Sequence, residues 1–186
     1  MITPSKEYVL KNGQKIIVRS PEPSDAQNLI DQIVGVAAST DYLLSVPEDF
    51  KCYIDDISKE EDYLERSKSD PGYWLIGLVD DKIVANAQLR LFTHVKDKHR
   101  SNIGIAISDG YRGLGIGSLL FDIMIELAKQ TPGIEQIELD VINKNEQAKR
   151  LYTKKGFVKV GDIPHQLKLK DGTYLDGENM VLFLNK

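Results

Sequence analysis

Cysteine is nearly absent from this chain. Cys52 stands alone, so no disulfide can close within it, and a reducing cytoplasm is the compartment expected. No histidine neighbours Cys52 in sequence, which favours a structural or surface thiol over a nucleophile. The histidines His94, His99 and His165 have no cysteine or carboxylate partner at ligand spacing, so no metal site is expected. Long apolar runs are missing too. Nothing approaches the ~20 residues of a membrane span, and Met1-Ile2-Thr3-Pro4-Ser5-Lys6 lacks the apolar core of a secretion signal. Excess positive charge is also lacking. With 24 Lys and Arg against 28 Asp and Glu, there is no basic footprint for nucleic acid. No internal repeat and no Gly/Ser-rich or Pro-rich linker divides the 186 residues, so the expectation is one domain over 1–186.

What is present is a mixture of strand and helix periodicities. Lys15 to Arg19 reads as the first strand, after a turn at Asn12-Gly13. Ser24 with Gln27 has capping-box spacing, followed by Leu29, Ile30, Ile33, Val34 and Ala37 at helical intervals. Ser58 with Glu61 repeats the box and opens a helix to about Lys68. Tyr73 to Val79 and Lys82 to Phe92 form a hairpin about Asp80-Asp81, with Ile83, Ala85, Ala87, Leu89 and Leu91 on one face of the return strand. Arg100 to Ser108 is a further strand, and Leu119, Leu120, Ile123, Met124 and Leu127 form the apolar stripe of a helix stopped by Pro132-Gly133. Strands follow at Ile134–Val141, Phe157–Val160 and Met180–Leu184, with a short helix over Asn145–Lys155. Hairpins combined with one strand–helix–strand crossover predict a three-layer α/β (α+β) sandwich, not a fully parallel doubly wound sheet.

The crossover carries Tyr111-Arg112-Gly113-Leu114-Gly115-Ile116-Gly117-Ser118. Alternating glycines leave backbone N–H groups uncovered, and the loop ends where a helix begins. Free amides and the positive end of the helix dipole therefore point the same way, which makes an anion cradle for a phosphate or pyrophosphate. Arg112 adds positive charge. The ATP loop pattern fails because Ile116 stands where its lysine belongs. The dinucleotide pattern fails because its third glycine falls on Ser118.

Arg112, Gly115 and Gly117 do fit Arg/Gln-x-x-Gly-x-Gly/Ala. Downstream, Asn145-Glu146-Gln147-Ala148-Lys149-Arg150-Leu151-Tyr152-Thr153-Lys154-Lys155-Gly156-Phe157 fits N-x-x-A-x-x-L-Y-x-K-x-G-F. With these two segments the chain resembles the GNAT family of N-acetyltransferases, most sharply from 101 to 160 and in outline from about 14 onward. The resemblance implies the GNAT acyl-CoA N-acyltransferase fold: a mixed, largely antiparallel sheet whose parallel strand pair splays open. It also implies acetyl-CoA as co-substrate, and a primary amine of a small molecule, amino acid or peptide terminus as acceptor. A homodimer is common among such proteins. The leucine- and glycine-bearing end of the chain, Leu169 to Met180, resembles a subgroup that includes amino-acid and ribosomal-protein acetyltransferases.

By the same resemblance, Ile105, Ala106 and Ile107 offer backbone groups to the pantetheine arm and to the thioester carbonyl. The amides of Gly113, Leu114, Gly115, Ile116, Gly117 and Ser118 hold the pyrophosphate. Asn145 contacts the donor or steers its helix, and Tyr152 protonates the departing thiolate. Many relatives carry a glutamate on the strand before the loop. Arg100-Ser101-Asn102-Ile103-Gly104 carries none, so the base is unassigned. His94, His99 and the acids of 41–62 are the candidates, and an α-amino acceptor with a pKa near ~8 needs the least help. The acceptor is expected to be read by Ala37–Phe50 and Pro164–Tyr174. The rival reading is a non-catalytic acyl-CoA-binding sensor on the same fold.

Overall fold

The computed structural model describes residues 1–184. Eight strands form a single sheet in the order β1-β2-β3-β4-β5-β6-β8-β7. The strands are β1 Lys6–Val9, β2 Lys15–Arg19, β3 Gly72–Val79, β4 Lys82–Leu91, β5 Arg100–Ile107, β6 Gln136–Ile142, β7 Val158–Lys168 and β8 Tyr174–Phe183. The helices are α1 Ala26–Ala38, α2 Lys51–Ile54, α3 Ser58–Ser67, α4 Ile116–Gln130 and α5 Glu146–Lys154. Every neighbouring strand pair is antiparallel except β5–β6.

Two apolar cores sit on opposite faces of this sheet. On one face Ile116, Leu120, Phe121, Met124 and Ala128 of α4 pack on Leu75, Ala85, Ala87, Leu89 and Ile103. On the other, Ala26, Leu29 and Leu64 from α1 and α3 pack on Ile76, Leu78 and Ile83. Helix, sheet and helix thus form the three layers expected. Ile83 departs from the face assigned to it. The β3–β4 register shifts between Gly77 and Leu78, with Leu78 opposite Ile83 and Gly77 opposite Ala85. The extra residue, Val84, reverses the alternation and sends Ile83 to the α1/α3 side. Asp80 and Asp81 both have positive φ (48° and 59°), the backbone of a tight hairpin turn.

Several expected boundaries move. β1 was not legible in the sequence; it forms a hairpin with β2. Ser24 does not cap α1. Pro23–Asp25 forms a single 3-10 turn, and Asp25 Oδ2 accepts from the Glu22 N–H at 2.8 Å while both carboxylate oxygens accept from Arg19 at 2.6 and 2.8 Å. An ion pair, not a serine hydroxyl, fixes that end. Ser58 is the first helical residue of α3, and its hydroxyl donates to Asp56 Oδ1 at 2.6 Å. β7 and β8 are longer than expected because β7 continues through a bulge. Pro164, His165 and Gln166 lie between the paired positions Ile163↔Gly177 and Leu167↔Leu175. The His165 N–H donates to Asp176 Oδ1 at 2.7 Å, with His165 at φ 53°.

Candidate active site

β5 and β6 pair only over Arg100–Asn102 and Gln136–Glu138. β5 runs on to Ile107 and β6 to Ile142 without pairing, which is the splay expected. At the last rung Asn102 Nδ2 donates to the Glu138 carbonyl at 3.2 Å. The side chain adds a bond to the ladder at its last rung.

The phase of the β4–β5 ladder determines what faces the gap. Phe92 N–H donates to Arg100 O at 3.2 Å, and Ser108 N–H donates to Val84 O at 2.9 Å. Alternation between those two points engages Asn102, Gly104 and Ala106 with β4 and turns the backbone groups of Ile103, Ile105 and Ile107 into the gap. Ala106 is therefore turned away from the role expected of it, and Gln32 Nε2 also approaches its carbonyl, at 3.5 Å. The Ile107 carbonyl accepts from Arg112 Nε at 3.3 Å. Ile105 is left with both backbone groups directed into the gap.

The loop beyond β5 turns on left-handed glycines: Gly110, Gly113 and Gly115 have φ of 84°, 80° and 94°. Leu119 N–H reaches back to Gly115 O at 3.0 Å. Among the described residues no backbone carbonyl accepts from Ile116, Gly117 or Ser118 N–H, so these amides lie open at the α4 N-terminus, where an anion is favoured. Gly117 has a second reason to be glycine. A Cβ there would lie 3.1 Å from Leu151 Cδ2 and 3.3 Å from Ile107 Cδ1, so its absence lets α4 approach β5 and α5 closely. Arg112 straps the loop in place: its Nη2 donates to Ser39 Oγ at 3.0 Å and its Nη1 lies 3.6 Å from Asp109. Lys11, from the β1–β2 hairpin, was not anticipated. Its N–H donates to Leu114 O at 3.2 Å and its side chain lies over Gly115. No short-range sequence signal links that hairpin to the loop.

Across the gap, Asn145 caps α5 by accepting the Ala148 N–H at 3.2 Å, which leaves its amide nitrogen available. Tyr152 stands in an aromatic cluster, with ring centroids 5.2 Å from Phe121 and 6.1 Å from Phe157. Burial pushes its phenol up to about 12, so the hydroxyl keeps its proton through the physiological range. That hydroxyl has no hydrogen-bond partner among the described residues.

Carboxylates divide sharply. Glu138 is held by Arg100 at 2.5 and 2.6 Å, and chiefly that hydrogen bond keeps its carboxyl below the usual range against the opposing effect of burial. Glu178 is buried between Lys149 and Lys159 at 3.6 and 3.3 Å. Of the acids in 41–62, Glu60 alone among the described residues is buried, at 3% exposure. It has no hydrogen bond or ion pair, and burial raises its pKa.

The α1/α3 face of the sheet is polar beside the gap. Register places Ile76, Asn86 and Ala106 in one row, then Trp74, Gln88 and Gly104, then Gly72, Arg90 and Asn102. Asn86 Nδ2 donates to the buried Gln32 of α1 at 2.6 Å, which fixes the face. Asn86, Gln88 and Arg90 alternate in a central strand whose other face is wholly apolar, a sequence signal for a cleft that was legible but not read. The two segments expected to read the acceptor also meet: Lys170 Nζ lies 2.5 Å from Glu48 Oε1, joining the 47–50 turn to the β7–β8 hairpin.

A splayed parallel pair, open amides at a helix N-terminus and a half-buried tyrosine across the opening together define an acyl-CoA-dependent transferase architecture. The chain matches the model of the acetyltransferase (GNAT) family over residues 31–157, and it belongs to that family. It is 26% identical over 180 residues to an N-alpha-acetyltransferase of Sulfurisphaera tokodaii, covering 92% of this chain and 93% of that protein. It is 26% identical over 118 residues to the L-amino acid N-acetyltransferase AaaT of Escherichia coli, covering 63% and 72%. A GNAT-family acetyltransferase from Streptococcus pneumoniae superposes with a TM-score of 0.81 at 25% identity, covering 91% of this chain and 99% of that one. A structure from Salmonella typhimurium solved with acetyl-CoA superposes with a TM-score of 0.76 at 16% identity, covering 92% and 95%.

Proposed function

We propose that this protein transfers the acetyl group of acetyl-CoA to the α-amino group of an amino acid or peptide terminus, by direct attack in a ternary complex. The observation that carries this reading is the gap between β5 and β6 with the open amides of Ile116, Gly117 and Ser118 at one end. The relatives named for N-alpha and L-amino acid acetylation support the choice of amine.

In this reading Gly113 to Ser118 hold the donor's pyrophosphate, and Ile105 and Ile107 line its pantetheine arm. The Ile105 N–H faces the thioester carbonyl and stabilises the oxyanion as the amine nitrogen bonds to carbon. The C–S bond then breaks, and the Tyr152 hydroxyl gives its proton to the thiolate. Alignment of amine and thioester contributes up to ~7–11 kcal/mol in well-oriented cases. An α-amino acceptor, with a pKa near ~8, needs the least help in losing its proton. Thiol release from acetyl-CoA, measured against amino acids, their amides, short peptides, polyamines and aminoglycosides, tests it. Release dependent on an α-amine supports the reading. Tight CoA binding with no release on any amine sinks it in favour of the sensor.

A further inference from the structure

On the α1/α3 face, next to the gap, lies a cavity of about 380 Å³. Tyr63 and Trp74 form its aromatic wall, and Gln88 and Arg90 form its floor. The rings of Tyr63 and Trp74 are tilted against each other with centroids 5.7 Å apart. Three observations make this cavity a binding site and not a crevice. Arg90 is an exposed guanidinium in a central strand, and it has no hydrogen bond or ion pair among the described residues. Trp74 Nε1 is a buried donor without a partner. Gly104, in register with Gln88 and Trp74, has nothing within 4 Å of where a Cβ would stand. A bare strip therefore runs from the cavity to the open edge of β5. Glycine within a strand is expected where a ligand closely approaches the backbone.

Charge and geometry restrict what such a strip accepts. The cations at the cavity are Arg90, Lys68 and the α-ammonium of Met1; Lys68 is already paired with Glu65, and the ammonium donates to the Gly72 carbonyl at 2.9 Å. Asp70, His94, Tyr63 and Tyr73 complete the charged or titratable lining. Arg90 stands opposite Asn102, the residue at the splay point. It is thus one strand spacing, ~4.8 Å, from β5 at the point where the splay begins, and three residues, roughly 10 Å along that strand, from Ile105. A guanidinium fork pairs best with a planar carboxylate.

Resting on the transfer reading above, we propose that the acceptor carries a carboxylate and that Arg90 binds it, with the acceptor's apolar body against Trp74 and Tyr63. The α-carboxylate of a free amino acid and an acidic side chain on a short peptide share this chemistry. Arg90 is then the residue that separates free acids from neutral amines as substrates.

Trp74 is the only tryptophan in the sequence, so its fluorescence reports occupancy without any turnover. The protein is titrated, with CoA present, with leucine, leucinamide and leucyl-glutamic acid amide. Expected is saturable binding of at least one carboxylate ligand, on the order of tenfold tighter than leucinamide. Leucine as the tight ligand identifies the α-carboxylate, and the dipeptide amide identifies a side chain. Arg90→Gln is expected to erase the preference, and Arg90→Lys to restore part of it. Equal affinities for the acid and amide ligands in the wild type overturn the proposal, as does a preference that survives in Arg90→Gln. Thiol release run in parallel keeps the two readings apart. Release with leucinamide but no acid preference removes only the Arg90 assignment. An acid preference without release on any amine removes only the transfer.

Discussion

Asn102 reaches across from β5 and donates to the main-chain carbonyl of Glu138 on β6, at the last point where the two strands remain paired. Beyond it the strands diverge. One amide side chain thus reinforces the ladder where it ends. Asn102→Val removes that added donor, at a cost of about 0.5–1.5 kcal/mol. For a chain of this size each kcal/mol lowers Tm by about 2–4 °C. Calorimetry measures the loss, and donor affinity is expected to fall with it because the mouth of the gap is no longer fixed.

The glycines of the loop separate by role. Gly115 has φ 94°, where any side chain strains the backbone by roughly 1–2 kcal/mol. Gly115→Leu is expected to weaken CoA binding at least tenfold. Gly117→Ala places a methyl against the mobile ends of Leu151 and Ile107 and is expected to cost less than ~1 kcal/mol, since alanine favours helix. Gly117→Leu overfills the space and is expected to lose about 1–3 kcal/mol. Equilibrium CoA binding and thermal unfolding of the three variants distinguish cradle from packing.

Tyr152→Phe keeps the ring among Phe121 and Phe157 and removes only a hydroxyl without a partner. Its Tm and CoA affinity are expected to match the wild type, while turnover falls ~10²-fold. Because burial pushes the phenol up to about 12, a fall in activity at neutral or mildly alkaline pH does not belong to Tyr152. Full activity in the variant removes Tyr152 from the chemistry.

Glu60 links pH and stability. Burial raises its folded pKa above the ordinary carboxylate value. Its protonated form therefore stabilises the fold at acid pH, and that contribution is lost as pH rises through the raised value. Glu60→Gln is expected to raise Tm near neutral pH, with a gain that shrinks in acid. Thermal unfolding of both forms across pH checks the sign.

Asp25 behaves in the opposite sense. Burial acts to raise its pKa, but hydrogen bonds from Arg19 and the Glu22 N–H outweigh it and leave it lowered. Its contribution is present above the ordinary aspartate pKa and is lost as pH falls through the lowered value. Asp25→Asn is expected to reduce stability by about 1.5–3 kcal/mol at neutral pH and much less in strong acid. Denaturant titrations at both extremes check the sign.

The parts of this molecule legible from the sequence are those written locally. Gly113, Gly115 and the 145–157 segment are close in sequence, so spacing points to a loop with open amides, and the resemblance to the family singles out Tyr152. Boundaries set by distant partners were not legible. Asp25 displaces Ser24 at the start of α1 because Arg19 comes from β2. The bulge at Val84 shows only in its pairing with Gly77. Lys11 comes to the glycine loop from the first hairpin and Arg90 to the cavity from β4, and neither belongs to a motif. Ala106 illustrates the converse: it is correct in position along the chain, yet ladder phase turns its backbone away.

Two features beside the gap differ in how they are held. The splay of β5 from β6 is set by where backbone pairing stops. The join between the 47–50 turn and the β7–β8 hairpin rests on Lys170 and Glu48, an exposed contact that salt screens readily. Raised ionic strength is therefore expected to loosen that join and leave the splay unchanged.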